Sequence, residues 1–165
     1  MSKRFSLREF QQNILDRIEQ EEASTVRHAA TLGVQLKGSL WLVEMQDISE
    51  VLPPPAVTPV PLTRPWYRGV ANVRGNLYSI SDLAYFMGLG ETQGDSHTRV
   101  LLSNPKLGCN AGVLVSRVLG LRDTAGWRRE QIEGDEQFHD DQGQVWRKLN
   151  LAQLFQQPDF LHVGV

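Results

Sequence analysis

The sequence predicts a mainly β protein built from short strands, either small β-barrels or a sandwich, with a few short helices. Strand-like segments are separated by turn signals about every eight to twelve residues. The 165 residues are 41% hydrophobic and 22% charged, which is enough apolar material to bury a core. This length suits one domain or two small lobes that share strands.

A helix is predicted over residues 6–23, where apolar residues recur at three- and four-residue steps on one face. These residues are Leu7, Phe10, Ile14 and Ile18. Ser6 and Glu9 have the spacing that predicts a capping box at its start. Two roles remain open for this helix: packing on its own domain, or docking on another protein.

Residues 31–45 alternate loosely in polarity and predict two strands joined by a tight turn in the LKGSL stretch. Six prolines follow between Pro53 and Pro65. Because proline has no backbone N–H, this segment cannot be a central strand, and we expect an extended surface segment. Its apolar residues Val57, Val60 and Leu62 would attach it to the domain; the alternative is a proline-motif docking site.

Residues 66–89, WYRGVANVRGNLYSISDLAYFMGL, predict a second hairpin with its turn at RGN, and then a short helix. Asp82 is the expected N-cap of this helix and Gly88 its C-cap. The glycine-rich stretch GLGETQGDSH, residues 88–97, is expected to be a loop.

The C-terminal half predicts further strands within residues 98–123, with a turn at SNPKLG. A polar loop and a hairpin turn at DDQG, residues 140–143, come next. A short amphipathic helix then buries Leu151, Leu154 and Phe155 and is stopped by Pro158.

No catalytic or metal-binding pattern stands out in the sequence. The single cysteine, Cys109, follows a glycine in an expected turn and has no histidine partner in sequence. The histidines are scattered without metal-ligand spacing, and there is no Cys-x-x-Cys pair and no P-loop lysine. They are His28, His97, His139 and His162. We therefore expect no enzyme, no metal and no cofactor.

Charge and composition also limit the location and the partners. The net charge is −2, so the chain has no excess of basic residues of the kind that binding to nucleic acid or anionic lipid requires. One cysteine excludes an internal disulfide and suits a reducing compartment. No apolar run approaches the roughly 18 residues of a membrane span, and the start lacks a secretory signal, so the expected location is the cytoplasm.

Arg74 is the most unusual residue, since it lies in an otherwise apolar, strand-like stretch. A buried guanidinium needs a carboxylate, and Asp47 and Asp82 are the candidate mates. The pair could only fix the fold, or it could also shape a contact surface. The third possibility is that Arg74 is a turn residue that faces water.

The stretch from Trp66 resembles the hallmark of CheW-type adaptor domains, a Gly-Val-x-Asn-Leu-Arg-Gly core followed by Pro-x-x-Asp-Leu. The matching residues are Gly69, Val70, Asn72, Arg74, Gly75, Asp82 and Leu83. Upstream, VEMQDISEVLP resembles the family's Val-x-Glu-Ile segment, with Asp47 in place of the glutamate. Downstream, AGVLVSRVLGLRD resembles Gly-Ile-x-Val-Asp-x-Val, with Ser116 at the aspartate.

The resemblance implies two intertwined five-stranded barrels, similar to SH3 folds, around a shared apolar seam, and no enzymatic activity. It implies a structural ion pair between Asp47 and Arg74. It also implies a receptor-facing surface at or near Met45, Gly69, Arg74 and Leu121. From the residues alone, Val43, Met45, Val70, Val113 and Leu121 could either line such a groove or fill the core.

The implied partners are the cytoplasmic tip of a methyl-accepting chemoreceptor and the regulatory domain of a CheA-type histidine kinase, with membrane contact only through the receptor. The proline-rich segment and the N-terminal helix resemble the adaptor branch of type IV pilus, or twitching-motility, chemosensory systems. We expect an N-terminal extension over residues 1–30, the adaptor domain over 31–157 and a tail over 158–165. The rival hypothesis is a small-barrel module that binds a ligand or nucleic acid through the basic clusters at Trp127–Arg129 and Trp146–Lys148.

Overall fold

The computed structural model describes residues 11–18 and 30–165. Residues 11–18 form helix α1. The strands are β1 (Thr31–Leu36), β2 (Ser39–Glu44), β3 (Ile48–Leu52), β4 (Tyr67–Val73), β5 (Asn76–Asp82), β6 (Arg99–Ser103), β7 (Ala111–Val115), β8 (Arg117–Arg122), β9 (Arg128–Ile132), β10 (Asp135–His139) and β11 (Val145–Lys148). The other short helices are α2 (Leu83–Phe86), α3 (Leu151–Leu154) and α4 (Pro158–Leu161), and 3₁₀ turns cover Met45–Asp47 and Pro105–Leu107.

The strands form two mixed sheets, and the chain leaves the first sheet and later returns to it. The six-stranded sheet has the order β8-β1-β2-β11-β10-β9, and the five-stranded sheet has the order β3-β6-β7-β5-β4. One parallel pair closes each arrangement: β2 with β11, and β5 with β7. The mainly β, two-part fold predicted from the sequence is confirmed, and the first sheet has one strand more than expected.

The additional strand is β9, which lies where the sequence predicted a polar loop. It pairs with β10 through a two-residue turn at Glu133 and Gly134, both of which have positive φ (52° and 88°). Such turns match the twist of the flanking strands. All five residues of β9 are exposed, so it lacks the apolar alternation by which a half-buried strand is recognised.

The buried side chains form three clusters. The largest lies between the sheets and takes residues from both, together with α2, α3 and α4. A second cluster belongs to the five-stranded sheet and includes Ile80 and Val100, and a third belongs to the six-stranded sheet around Phe138 and Trp146. The two parts therefore share one core and each also has its own. Leu151, Leu154 and Phe155 of the predicted C-terminal helix are buried as expected.

The proline-rich residues 53–65, named the strap here, run along the edge of β4. Thr58 exchanges two backbone hydrogen bonds with Val70, of 2.8 and 3.0 Å. Thr63 forms a β-bridge with Gly164 and so connects the strap to the C-terminal tail. Val57 is half-buried against the second cluster, whereas Leu62 is 83% exposed. The strap is thus attached mainly by backbone hydrogen bonds.

The tail that follows Pro158 is folded onto the domain. Pro158 is the first residue of α4, and Phe160 is buried. The Phe160 ring stacks on Trp66 at 5.6 Å and meets Phe86 edge-on at 5.1 Å. The preceding helix α3 already ends at Leu154, so Pro158 does not stop it directly. Pro158 instead begins α4, which agrees with its preference for the first helical position.

Helix α1 does not pack on the domain within its described residues. Ile14 and Ile18 of the predicted stripe are 43% and 47% exposed, and Leu15 is 54% exposed. The remaining residues of the predicted helix, including Leu7 and Phe10, lie outside the described residues. Within the described ranges, no helix is long and apolar enough to cross a membrane.

Candidate functional site

Arg74 occupies the turn between β4 and β5 and pairs with a carboxylate on another strand. The turn consists of Arg74 and Gly75, with positive φ at both (52° and 85°). The guanidinium donates two hydrogen bonds to Glu50 of β3, of 2.7 and 2.5 Å. Because β3 and β4 are the outer strands of the five-stranded sheet, this two-point contact connects its two edges.

The predicted ion pair between Asp47 and Arg74 is not formed. Asp47 ends the 3₁₀ turn Met45–Asp47 and is only 7% exposed, near Ala152. Burial, and next the charge of Glu44, raise the pKa of its carboxyl group above the ordinary value of 3.8. The sequence analysis aligned Asp47 with the glutamate of the Val-x-Glu-Ile segment, three positions before the residue that pairs with Arg74. Residues 48–51, Ile-Ser-Glu-Val, fit the Val-x-Glu-Ile segment better and place Glu50 at its glutamate.

Asp82, the other candidate mate, is fully buried and pairs with Arg68 at 3.0 Å. It also caps α2 by accepting a hydrogen bond from Tyr85 N, at 3.3 Å. Thr92 donates to it twice, from N at 2.8 Å and from Oγ1 at 2.7 Å. Asp82 therefore joins β5, β4, α2 and the loop after α2, and the N-cap predicted from the sequence is confirmed.

The sequence analysis missed Arg68 and its second acid, Glu91, which lies 3.0 Å from the guanidinium. The sequence did contain a signal for Arg68. This residue directly precedes the motif glycine, Gly69, in β4, and the partner strand β5 ends at Asp82. Glu91 gave no such signal, because the glycine-rich loop that contains it has no periodicity that could fix where a side chain points.

Two of the four predicted receptor-facing residues are exposed and two are not. Arg74, with a side chain 75% exposed, and Leu121, 65% exposed, are accessible, but they belong to different sheets. Met45 is partly buried against the shared core. Of the other residues that could line a groove, Val43 and Val113 are fully buried and belong to the core.

Gly69 is buried beneath the strap. It has a φ of 133°, and a Cβ at this position would overlap the carbonyl oxygen of Thr58. Only glycine allows both this conformation and this close approach. The backbone conformation and the close approach of the strap therefore require glycine at position 69, and the strap covers this residue.

An aromatic cavity of about 600 Å³ lies where the strap, α2 and α4 meet. It is lined by Arg64, Trp66, Phe86, Pro158, Asp159 and His162. Trp66 and Phe86 meet edge-on at 5.0 Å and form part of its wall. Because Trp66 and Phe86 are twenty positions apart, the sequence alone did not predict this cavity.

The two basic clusters considered for nucleic-acid binding lie at the start of β9, which Trp127 directly precedes, and in β11, and both take part in packing. Trp146 is 2% exposed, and Arg129 lies over the Phe138 ring at 5.2 Å. Lys148 pairs with Glu44 at 3.0 Å. The aromatic ring of Trp146 is thus unavailable as a platform for stacking a base.

Reactive groups give no sign of catalysis in the part of the chain that the structure describes. Cys109 is half-buried, and burial raises the pKa of its thiol, which disfavours the nucleophilic thiolate. In the same residues, no group of three or more His, Cys, Asp or Glu side chains could hold a metal ion.

The family model of the CheW-like domain matches residues 30–159. The chain belongs to the CheW-like family. A relative, protein PilI from Pseudomonas aeruginosa, is 32% identical over 156 residues, covering 88% of this chain and 85% of the relative. The recognition of the family from the motif around Arg74 is confirmed.

A solved structure has the same fold as this CheW-like chain. The scaffolding protein TtCheW from Thermoanaerobacter tengcongensis superposes with a TM-score of 0.65 at 19% identity, covering 79% of this chain and 94% of that one. CheW-like domains are scaffolding domains and not enzymes. The site of interest in this chain is therefore a set of contact surfaces.

Proposed function

We propose that this chain is an adaptor that couples a methyl-accepting chemoreceptor to a CheA-type histidine kinase in a cytoplasmic chemosensory system controlling type IV pilus twitching motility. The observation that carries the proposal is its 32% identity to PilI over 88% of the chain, within a family of scaffolding domains. The pilus branch, the two partners and the cytoplasmic location belong to the proposal.

The receptor surface in this proposal includes the exposed residues Arg74 and Leu121. A chemoreceptor tip is a helical hairpin, and a helix is recognised through an apolar contact with a few anchoring residues. Leu121, exposed on an edge strand, suits such an anchor. Met45 packs on the core and Gly69 is covered by the strap, so neither is proposed as an exposed contact residue.

The proposal is tested by co-purifying this chain with the regulatory domain of the CheA-type kinase from the same cell, with and without residues 1–30. Binding of both forms is expected if the CheW-like domain provides the kinase surface. Absence of kinase binding by the full chain contradicts the proposal.

Receptor binding is tested separately with Leu121→Asp. A charge at an apolar anchor is expected to lower affinity at least about tenfold, which corresponds to roughly 1.4 kcal/mol. Ile132→Asp is the matched control, because Ile132 is an exposed apolar residue (41%) on β9, the opposite edge strand of the same sheet. Equal losses in both variants would contradict a specific contact at Leu121.

A further inference from the structure

A second cavity, of about 270 Å³, lies between the β1–β2 turn, the start of β8 and the loop that follows α2. Its lining residues are Gln35, Lys37, Gln93, Asp95, His97, Ser116 and Arg117, and we call it the loop pocket. All seven lining residues carry polar or charged side chains. Charge and hydrogen bonding therefore take part in selecting what the loop pocket holds.

The loop pocket contains more basic than acidic groups. Among the described residues, the side chain of Arg117 has no hydrogen-bond or ion-pair partner, whereas His97 interacts electrostatically with Asp95. Lys37 Nζ donates to a neutral acceptor, the backbone oxygen of Glu91, at 2.9 Å. The two full positive charges of Lys37 and Arg117 thus line the cavity without an acid as ion-pair partner.

Asp95, the one acid in the lining, is already held by its own loop. Its carboxylate accepts hydrogen bonds from His97 N at 2.7 Å and from Thr98 N at 3.1 Å. These contacts lower its pKa below the ordinary value. The two full positive charges in the lining, on Lys37 and Arg117, therefore outnumber its one carboxylate.

The wall made by the loop is fixed before any ligand arrives. Glu91 is held by Arg68 at 3.0 Å, and the Thr92 backbone donates to the buried Asp82. Lys37 attaches the same loop to the first sheet. A pocket built on such a supported loop loses little conformational entropy on binding.

Ser116 forms the wall beside Lys37 without adding a charge. It stands at the aspartate of the Gly-Ile-x-Val-Asp-x-Val pattern, and its Oγ accepts a hydrogen bond from Lys37 N at 2.9 Å. A carboxylate at this position would lie in the wall beside Lys37 and would offset its charge. With serine, the wall keeps the hydrogen bond and the positive charge remains.

We propose that the loop pocket binds the phosphate group of a small phosphorylated molecule. Phosphate is a dianion near neutral pH, which matches the charges of Lys37 and Arg117, and the arginine fork and the lysine point charge are both common phosphate ligands. The volume admits a phosphate with a small attached body. This inference does not depend on the adaptor function.

The test is an NMR titration of the full chain with inorganic phosphate at low ionic strength, with acetate as a parallel arm. Phosphate is expected to shift the Lys37 and Ser116 amide signals saturably, and more tightly than acetate does. Ser116→Asp is expected to weaken phosphate binding about tenfold or more, because it places a negative charge in the wall. Ser116→Asn, of similar size but uncharged, is expected to keep binding.

Arg117→Gln is expected to weaken binding severalfold, whereas Arg128→Gln, which removes an exposed arginine on β9, is expected to leave it unchanged. Three results would overturn the proposal: no saturable shift, equal affinity for acetate, or equal losses in the Arg117 and Arg128 variants. All arms use the isolated chain, so their outcome is independent of kinase or receptor binding.

Discussion

Two arginines on one hairpin form ion pairs of opposite character. Arg68, at the start of β4, reaches a carboxylate that is fully buried, and its own side chain is 30% exposed. Arg74, in the turn six residues later, pairs with Glu50, and the two side chains are 75% and 30% exposed. The arginine that defines the family motif is thus the solvent-facing one, and the less conspicuous arginine neutralises the buried acid.

This difference shows that belonging to the family motif does not by itself identify the arginine on which the stability of the fold depends. An exposed pair gains little, because water and salt screen it. A buried carboxylate such as Asp82 depends on its partners, because its desolvation must be offset by a cation and several hydrogen bonds. The contrast therefore predicts a large stability effect at Asp82 and a small one at Arg74.

The largest effect is expected for Asp82→Ala. This change removes the acceptor of four hydrogen bonds that join β4, α2 and the loop after it. The expected loss in the free energy of unfolding is about 3–5 kcal/mol, measured by urea denaturation. Glu91→Ala is the control, since it removes only the exposed partner of Arg68. Similar losses in both variants would show that burial does not separate these acids.

The next effect is expected for Gly69→Ala, which tests whether the backbone next to Arg68 is as constrained as its ion pair. The alanine combines an unfavourable φ of 133° with an overlap against the Thr58 carbonyl. We expect a loss of about 2–4 kcal/mol in thermal or urea unfolding.

Gly75→Ala provides the matched control for Gly69. It also has positive φ (85°), but a Cβ there has open space around it. Its expected cost is that of the left-handed conformation alone, about 1–2 kcal/mol. If Gly75→Ala costs as much as Gly69→Ala, then the close approach of the strap contributes nothing.

The fold was predictable because its strands and turns carry local signals. The RGN turn, the Asp82 N-cap and the buried face of the last helix all follow from neighbouring residues. β9 was not predictable, because all its residues are exposed and its pairing with β10 depends on a partner strand.

The candidate site was less accessible to sequence reasoning. The need for an acid opposite Arg74 was correctly inferred, but the choice of acid depended on which strand residue faces the turn. Asp47 and Glu50 are only three positions apart, but Asp47 ends a 3₁₀ turn whereas Glu50 lies in β3. The Arg68–Glu91 pair and the loop pocket depend on where a glycine-rich loop folds, and tertiary contacts fix that fold.

A smaller effect on stability is expected for Arg74→Ala. Because the pair is exposed, the melting temperature should stay close to that of the unchanged protein, while receptor affinity falls if Arg74 is a contact residue. Glu50→Gln is the control, since it weakens the pair but keeps the arginine. A marked drop in melting temperature for Arg74→Ala would mean that bridging the sheet edges is structural after all.

The smallest effect on stability is expected at Asp47, a buried carboxylate that, unlike Asp82, has no arginine partner. The raised pKa of Asp47 means that the folded state holds its proton more tightly than the unfolded state does. Its favourable contribution is complete below the ordinary value of 3.8 and is lost as pH rises through the folded pKa, so at pH 7 the ionised group costs stability. Asp47→Asn should therefore unfold at a slightly higher temperature than the unchanged chain at pH 7, with the difference shrinking as pH falls towards 4.

The comparison variant is Asp82→Asn, which should destabilise the protein at pH 7, because Arg68 then loses the charge that neutralises it. If both asparagine variants shift in the same direction, then the presence of a paired arginine is not what distinguishes the two buried acids.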